Sequence, residues 1–495
     1  MRDMRVNDAA RITIVGGGFS GASVAVQLAR TTYGSLSITI VEPRPEPGYG
    51  SAYSSVDPDH RLNGIPAIHL VDPADPEAFV RWCATESLAT RDPDAVSADG
   101  RLFVRRREFG RFLADSVERA SQGARDRLRI THVRSRAVDV VVDDGYMSVA
   151  TDAGARLRSD LLVIATGNAQ PRLPASFPPA LADHPAIIGS ADDLARIRAI
   201  DAQARVLVLG TGLTALDVIS TMVRGGHGGT IVAVSRRGLR PRPYRPPPPE
   251  DAKPVPSLLE RIDGPVAPFV LAAGNPPAAR ALLHALRARI REANTAGDTW
   301  YGPFDELRDP LWQVWSRLDA REKSRILRHA RQWYDVHRFR APPQNDAIVR
   351  AAERRGIVQF HAARIRAVEA TDGGQRIRVT LLDHGADETR SNSFDAVVNC
   401  TGLDSTSGLS SNPFLVALAR AGYLIPDPSG LGIAVDRQCR PIGVDGGACD
   451  RMRVVGPPTA GAFGDPLGAI FIAAQIRRTL PGMLASLTAA PRTPG

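Results

Sequence analysis

The residues Gly16-Gly17-Gly18-Phe19-Ser20-Gly21 follow directly on the apolar run Arg11–Val15, so Gly16, Gly18 and Gly21 fit the spacing G-x-G-x-x-G. A helical pattern continues through Val24, Gln27 and Leu28, and the next apolar run, Ser37–Val41, ends in Glu42. This β-α-β opening constrains the fold more than any other feature, because each part has a task at one dinucleotide. Gly16 permits the tight turn, Gly18 lets a pyrophosphate approach the backbone, and Gly21 lets helix and strand pack closely. The first helical turn, with Phe19 and Ser20, offers N–H donors and a positive dipole end to phosphates. Glu42 is placed to accept from the ribose hydroxyls.

The pattern then restarts. Arg205–Leu209 reads as a strand, Gly210-Thr211-Gly212-Leu213-Thr214-Ala215 as a second glycine loop opening a helix to about Val223, and Thr230–Val234 as the next strand. Gly210, Gly212, Leu213 and Thr214 are the candidate contacts, and Ala215 stands where a third glycine is optional. This strand ends in Ser235, Arg236 and Arg237 instead of an acid. Those groups suit a 2′-phosphate through charge-assisted hydrogen bonds, which points to NADPH; the other reading is a solvated basic surface. Each half closes on a strand ending in Thr-Gly, at Thr166-Gly167 and Thr401-Gly402. The fold class expected is α/β, with two Rossmann-like dinucleotide-binding domains and a helical insert. The first domain takes residues 1–190 and 403–495, and the second 191–402 with the insert at about 240–344. The insert opens on Pro241, Pro243 and Pro246–Pro249, a stiff extended linker, and its helices are expected near 277–293 and 308–334. Elsewhere helices are expected near 75–84, 107–122, 347–355 (N-cap Asn345 or Asp346) and 467–480. The remaining strands are expected near 127–132, 134–141, 146–150, 160–164, 357–361, 363–369, 376–381, 394–399 and 451–455.

Composition narrows the function. Aromatics make up 5% of the 495 residues, too few for a base-stacking surface, and the net charge of +9 comes from arginines spread along the chain without a basic tail. No nucleic-acid partner is expected. The arginines at 321, 325, 328 and 331 read as a solvated helix face, and Trp312, Trp315 and Trp333 as the core of the insert. Cys83, Cys400, Cys439 and Cys449 include no CxxC pair and no histidine at ligand spacing, which argues against a metal site and against a disulfide reductase. No apolar run is long enough for a membrane span. Arg2, Asp3, Arg5 and Asp8 lead straight into the first strand, so no signal peptide and a cytoplasmic location are expected.

Gly48-Tyr49-Gly50-Ser51-Ala52-Tyr53, His60-Arg61-Leu62-Asn63, Pro66-Ala67, and then Phe103-Val104, Arg106, Phe109-Gly110 and Phe112-Leu113 carry a resemblance. So do Ser235–Leu239 and the stretch Trp333…His337-Arg338. Together they resemble a bacterial FAD/NAD(P)-binding family of two-dinucleotide-binding-domain flavoproteins, whose members include FAD-dependent urate hydroxylases and aspartate N-monooxygenases. Arg105 and Pro243-Tyr244 depart from its pattern, where proline and Pro-His are usual. The resemblance implies FAD at the first site, lined by Gly50, Ala52, Tyr53, Leu62 and Asn63, with Asn63 near the reacting edge as the catalytic candidate. It implies that Arg106 reaches the FAD phosphates or ribose, and that Gly456, Asp465 and the last helix face the flavin pyrimidine edge. The activity implied is NADPH-dependent oxygenation, through a flavin hydroperoxide, of a small polar nitrogen compound, either a urate-like heterocycle or the amine of an amino acid. Arg338 and Arg340 are candidates for holding an anionic substrate. The partners are then a small molecule and O₂, with no metal. An NADPH:acceptor (quinone-type) oxidoreductase and a non-catalytic dinucleotide sensor remain alternatives.

Overall fold

The computed structural model describes residues 9–31, 34–123, 127–142, 146–247, 256–465 and 467–489. The N-terminal residues Arg2, Asp3, Arg5 and Asp8, and Pro248 and Pro249 of the proline run, lie outside them. The strands, in chain order, are β1 (Ala10–Val15), β2 (Leu36–Val41), β3 (Leu128–Val133), β4 (Ala137–Val142), β5 (Met147–Thr151), β6 (Arg156–Ser159), β7 (Leu161–Ile164), β8 (Ile187–Ile188), β9 (Val206–Leu209), β10 (Ile231–Ser235), β11 (Val358–Thr371), β12 (Arg376–Asp383), β13 (Thr389–Phe394), β14 (Ala396–Asn399) and β15 (Met452–Val454).

They form three sheets. The first runs β15-β7-β1-β2-β3 and is parallel throughout, with Val15 beside Val41 on one side and Ile164 on the other. The second runs β13-β12-β11-β10-β9-β14-β8, parallel except for β12 and β13. The third is the antiparallel meander β4-β5-β6. A parallel sheet is covered on both faces, so its strands are continuous apolar runs. Ile12, Ile14, Ile38 and Ile40 pack under the helices Phe19–Ala29, Arg106–Gly123 and Ala469–Ala489, while Val15, Val41, Leu162 and Ile164 meet the meander and the helix Pro413–Arg420. In the second sheet Val206, Val208, Ile231 and Ala233 meet the helices Leu213–Arg224 and Pro343–Arg354, and the other face packs on β12 and Phe394.

Several expected elements differ. The strands expected at 357–361 and 363–369 are one strand, β11, bent by a register shift between Ile365 and Ala367. The helix expected at 308–334 is four: Tyr301–Arg308, Leu311–Trp315, Ala320–His329 and Arg331–Arg338. Asp319 ends the continuity, because its carboxylate accepts from Glu322 N and caps a new helix. The helix expected near 347 starts at Pro343, which needs no donor at N1, so Pro342 and neither Asn345 nor Asp346 is the N-cap. The last helix passes through Pro481 and runs to Ala489. The start of the proline linker is paired, since Tyr244 N donates to Ala341 O and Pro243 bridges to Ala341. Trp315 is buried, but Trp333 is exposed and adds nothing to the core of the insert. No described helix is long and apolar enough to cross a membrane.

Candidate active site

The two glycine loops lie at corresponding positions of the first and second sheets. In the first, Gly16 has φ +103°, and a Cβ there would stand 2.4 Å from Ala165 O, so only glycine fits under the end of β7. A Cβ on Gly21 would stand 2.0 Å from Gly16 O, the helix–strand crossing. Ala22 N donates the first helical bond to Gly18 O, leaving the N–H groups of Phe19, Ser20 and Gly21 for a phosphate. Glu42 is buried, with Oε2 accepting from Gly17 N at 2.9 Å and Oε1 from Arg44 N and Nη1, each at 3.1 Å. The acid therefore braces the loop, and a ribose would share its remaining lone pairs. Thr166 Oγ1, just beyond β7, is buried with no hydrogen-bond partner among the described residues. Beside it Gly167 has φ +72° and open space at its Cβ position. A buried hydroxyl without a partner marks a place where a ligand's polar atom fits. Gly456 packs on Ser20, which lies within 2.3 Å of where its Cβ would be.

In the second loop Gly210 has φ +112° and a Cβ would meet Cys400 O at 2.5 Å, again under the strand that ends in Thr-Gly. Thr401 Oγ1 donates to Asn399 Oδ1 at 2.8 Å, and Gly402 has φ +85° with nothing near its Cβ position. Gly212 has nothing within 4 Å of its Cβ position. Leu216 N bonds to Gly212 O, so the N–H groups of Leu213, Thr214 and Ala215 precede the first helical bond. Thr211 Oγ1 lies 2.9 Å from Ser235 Oγ, which also accepts from Gly238 N at 3.0 Å. Arg236 and Arg237 are exposed and have no ion-pair or hydrogen-bond partner among the described residues. Unspent guanidiniums beside an open helix N-terminus are what a phosphate needs.

The segment 48–69 packs on the first loop. Gly50 touches Gly18, with a Cβ on Gly50 reaching 2.8 Å from Gly18 Cα. Ala52 is exposed. Phe19 is buried at 6.0 Å from Phe109, and the Tyr53 ring meets Phe109 edge-on at 4.9 Å. Burial pushes the Tyr53 hydroxyl up to about 12, so it stays a neutral donor. Leu62 is buried, and its N–H donates to Val104 O at 2.9 Å. The Asn63 amide is half-buried and has no hydrogen-bond partner among the described residues. Arg106 does not present a free cation to a phosphate: its Nε donates to Arg61 O at 3.2 Å and its Nη2 to Asp217 Oδ2 at 2.5 Å. The departure at Arg105 is explained by Asp92, which Arg105 and Arg61 hold together.

The insert docks on the turn after Gly456 through Trp315 Nε1 and Lys323 Nζ, both donating to Gly461 O. Neither candidate anion clamp is free. Arg338 Nε donates to Asp465 Oδ2 at 2.5 Å, and Arg340 binds Asp305 at 2.5 Å. The Arg338–Asp465 pair is buried and keeps two unpartnered atoms, Arg338 Nη2 and Asp465 Oδ1. Burial raises the Tyr334 hydroxyl well above its usual range while it donates to Asp465 Oδ2. Asp217, Asp305 and Asp465 are the residues that sequence reasoning passed over or gave other partners. An acid in an otherwise apolar helix, Leu213-Thr214-Ala215-Leu216-Asp217-Val218-Ile219, was the available signal.

One parallel and one largely parallel sheet, each with a glycine loop against a Thr-Gly strand end, define a protein with the two-dinucleotide-domain flavoprotein fold. Residues 13–169 match the FAD-NAD(P)-binding family model. No curated protein matches the sequence. Among solved structures the chain is similar to the ornithine N-hydroxylase of Kutzneria sp. 744, at 16% identity over 97% of this chain and 99% of that one, with TM-score 0.62. It is also similar to L-lysine 6-monooxygenase from Pseudomonas syringae, at 17% identity over 98% and 100%, TM-score 0.63. The cadaverine monooxygenase of Erwinia amylovora, solved with FAD, is similar at 12% identity over 97% and 94%, TM-score 0.63. At these identities the likeness establishes the shared fold.

Proposed function

We propose that this protein is an FAD-dependent, NADPH-using monooxygenase that hydroxylates the nitrogen of a small polar amine. The observation that carries the reading is the pair of unlike glycine loops in one two-dinucleotide fold. One is braced by a buried acid, and the other is flanked by two arginines that have no partner among the described residues. The substrate class is taken from the similar structures named above, which are enzymes of ornithine, lysine and cadaverine. In this reading Gly16, Gly18, Phe19, Ser20, Gly21 and Glu42 hold the adenosine diphosphate end of FAD. Gly50, Ala52, Tyr53, Leu62, Asn63, Thr166, Gly167, Gly456 and Asp465 surround its remainder. NADPH takes Gly210, Gly212, Leu213, Thr214, Ser235, Arg236, Arg237, Thr401 and Gly402. Bound together, the two groups supply hydride transfer and activation of O₂.

The chain supplies binding and orientation. Arg236 and Arg237 meet the 2′-phosphate, and Asn63 offers an unspent amide, on a backbone fixed through Leu62 N, to orient the amine. The aromatic residues Trp300, Tyr301 and Phe304 pack against one another within the insert. Arg338 pairs with Asp465, and Arg340 with Asp305, which Arg308 shares, so neither arginine is a lone cation for an anionic substrate. That favours the amine over the urate-like alternative. The test is NADPH oxidation by the FAD-loaded protein with diamines, basic amino acids, aspartate and urate under isotope-labelled O₂. An amine-stimulated rate with one labelled oxygen in an N-hydroxylated product is expected. Turnover with a quinone alone, and no labelled product, would overturn the reading in favour of a reductase.

A further inference from the structure

A polar cluster joins the two dinucleotide units, where the ion pairs Arg106–Asp217, Arg198–Asp57 and Arg224–Asp59 cross between them, and the first of these reaches the backbone before Asn63. Arg106 opens the helix Arg106–Gly123 of the first unit. Its N–H donates to His60 O at 2.8 Å and its Nε to Arg61 O at 3.2 Å, so the arginine fixes the backbone immediately before Asn63. Its remaining contact crosses to the second unit, where Nη2 donates to Asp217 Oδ2 at 2.5 Å. Asp217 is buried in the helix Leu213–Arg224, which begins at the open Gly212. One turn on, Thr221 Oγ1 donates to Asp57 Oδ2 at 3.1 Å and lies 3.3 Å from His60 Nε2. Asn345, from the helix Pro343–Arg354, donates to Asp59 O at 2.9 Å and lies 3.5 Å from Asp217 Oδ1. The helix that starts at the second glycine loop thus grips the segment that carries Asn63. The Asp217 side chain is 5% exposed, so removing Arg106 leaves a buried carboxylate without its counter-charge.

We propose that Asp217 is a positioning residue, tying occupancy of the second glycine loop to the placement of Asn63 and the first site through Arg106. A phosphate drawn onto the N-terminus of the helix Leu213–Arg224 bears on that rigid element, and the ion pair five residues into it carries the shift to the His60–Asn63 backbone. Binding at the two loops is then linked, and linkage is reciprocal.

The inference rests on the dinucleotide reading above, but its test does not need the hydroxylation reaction. The FAD dissociation constant of the full-length protein is measured with and without saturating NADP⁺, for wild type and Asp217→Asn. Wild type should bind FAD roughly fivefold or more tightly with NADP⁺ present. Asp217→Asn should bind each dinucleotide alone within about twofold of wild type, yet lose the linkage, and Asp217→Glu should restore part of it. A merely structural role would lower the melting temperature and leave the linkage ratio intact. If Asp217→Asn does not fold, Arg106→Gln serves the same comparison from the other partner. Linkage retained in the variants, or none in wild type, would refute the proposal. Linkage intact in wild type and lost in the variants, with no amine hydroxylated, would sink the monooxygenase reading and leave this inference standing.

Discussion

The two glycine loops share a backbone and differ in everything around it. Gly16 and Gly210 have nearly the same positive φ, 103° and 112°, and each sits under the carbonyl of the residue before a Thr-Gly strand end. The first loop is then closed in: Gly50 lies on Gly18, Glu42 holds Gly17 N, and the aromatic residues Phe19, Tyr53 and Phe109 wall one side. The second is open, with free space over Gly212 and, among the described residues, two unpaired arginines beside it. A closed, pre-braced loop suits a cofactor that stays bound, and an open, charged one suits a cosubstrate that comes and goes every turnover. The same turn, differently walled, serves residence in one half and exchange in the other.

The sharpest way to break this comparison is at the third position of each loop. Gly21→Ala drives a Cβ into Gly16 O, where the second loop accepts Ala215. A loss of about 3 kcal/mol is expected from overpacking, seen as a lower melting temperature and a colourless protein. If Gly21→Ala stays yellow and stable, the two crossings are alike and the first is not tight. Next comes Gly212→Val, which meets no protein atom near its Cβ. Flavin content and melting temperature should hold, while KM for NADPH rises roughly 100-fold as phosphate contacts are lost; loss of flavin as well would show that the second loop is not an independent, open site. A smaller effect is expected from Arg236→Ala and Arg237→Ala, each lowering kcat/KM for NADPH roughly tenfold, because exposed pairs are screened. NADH kinetics should be unchanged, and equal losses for both nucleotides would remove the 2′-phosphate assignment.

The smallest effect is with pH. His69 lies against Phe109 in the wall of the first loop, and burial lowers its pKa to about 4. Its depressed value means that the unfolded chain takes up a proton near pH 6.5 while the folded one resists until about pH 4. Stability should therefore fall across that window on acidification, and be unaffected by this group above it. Melts followed by flavin fluorescence at pH 7 and pH 5 should show the drop, and His69→Gln should shrink it; an unchanged drop would acquit His69.

Much of this was legible in the residues and some was not, for identifiable reasons. The loops, their strands and the closing Thr-Gly ends are local patterns, each readable within a few residues. The fates of the arginines are not. Arg106 finds Asp217, Arg338 finds Asp465 and Arg340 finds Asp305 through contacts 111, 127 and 35 residues apart in the chain. A cation beside a phosphate site and a cation beside a buried acid look identical until the acid's position is known. β11 reads as two strands because it changes partner at the expected break, pairing β10 up to Ala362 and β12 from Ala363. The division of the insert helices was readable, since Asp319 and Glu322 stand at capping spacing.

The order of strands in the first sheet has a consequence for how the protein is made. β7 is paired on its outer side by β15, with Leu162 beside Met452 and Ile164 beside Val454. On the ribosome roughly 290 residues separate the appearance of these partners, or about 15–60 seconds at ordinary elongation rates. The whole second sheet, β8 to β14, emerges in that interval and has every strand it needs. The first sheet does not, and through that time its Leu-Leu-Val-Ile strand stands as an unpaired apolar edge, the kind of edge on which nascent chains pair with one another. The half of the molecule that is synthesised first is therefore completed last, and its exposure to aggregation is set by the length of what is inserted before β15.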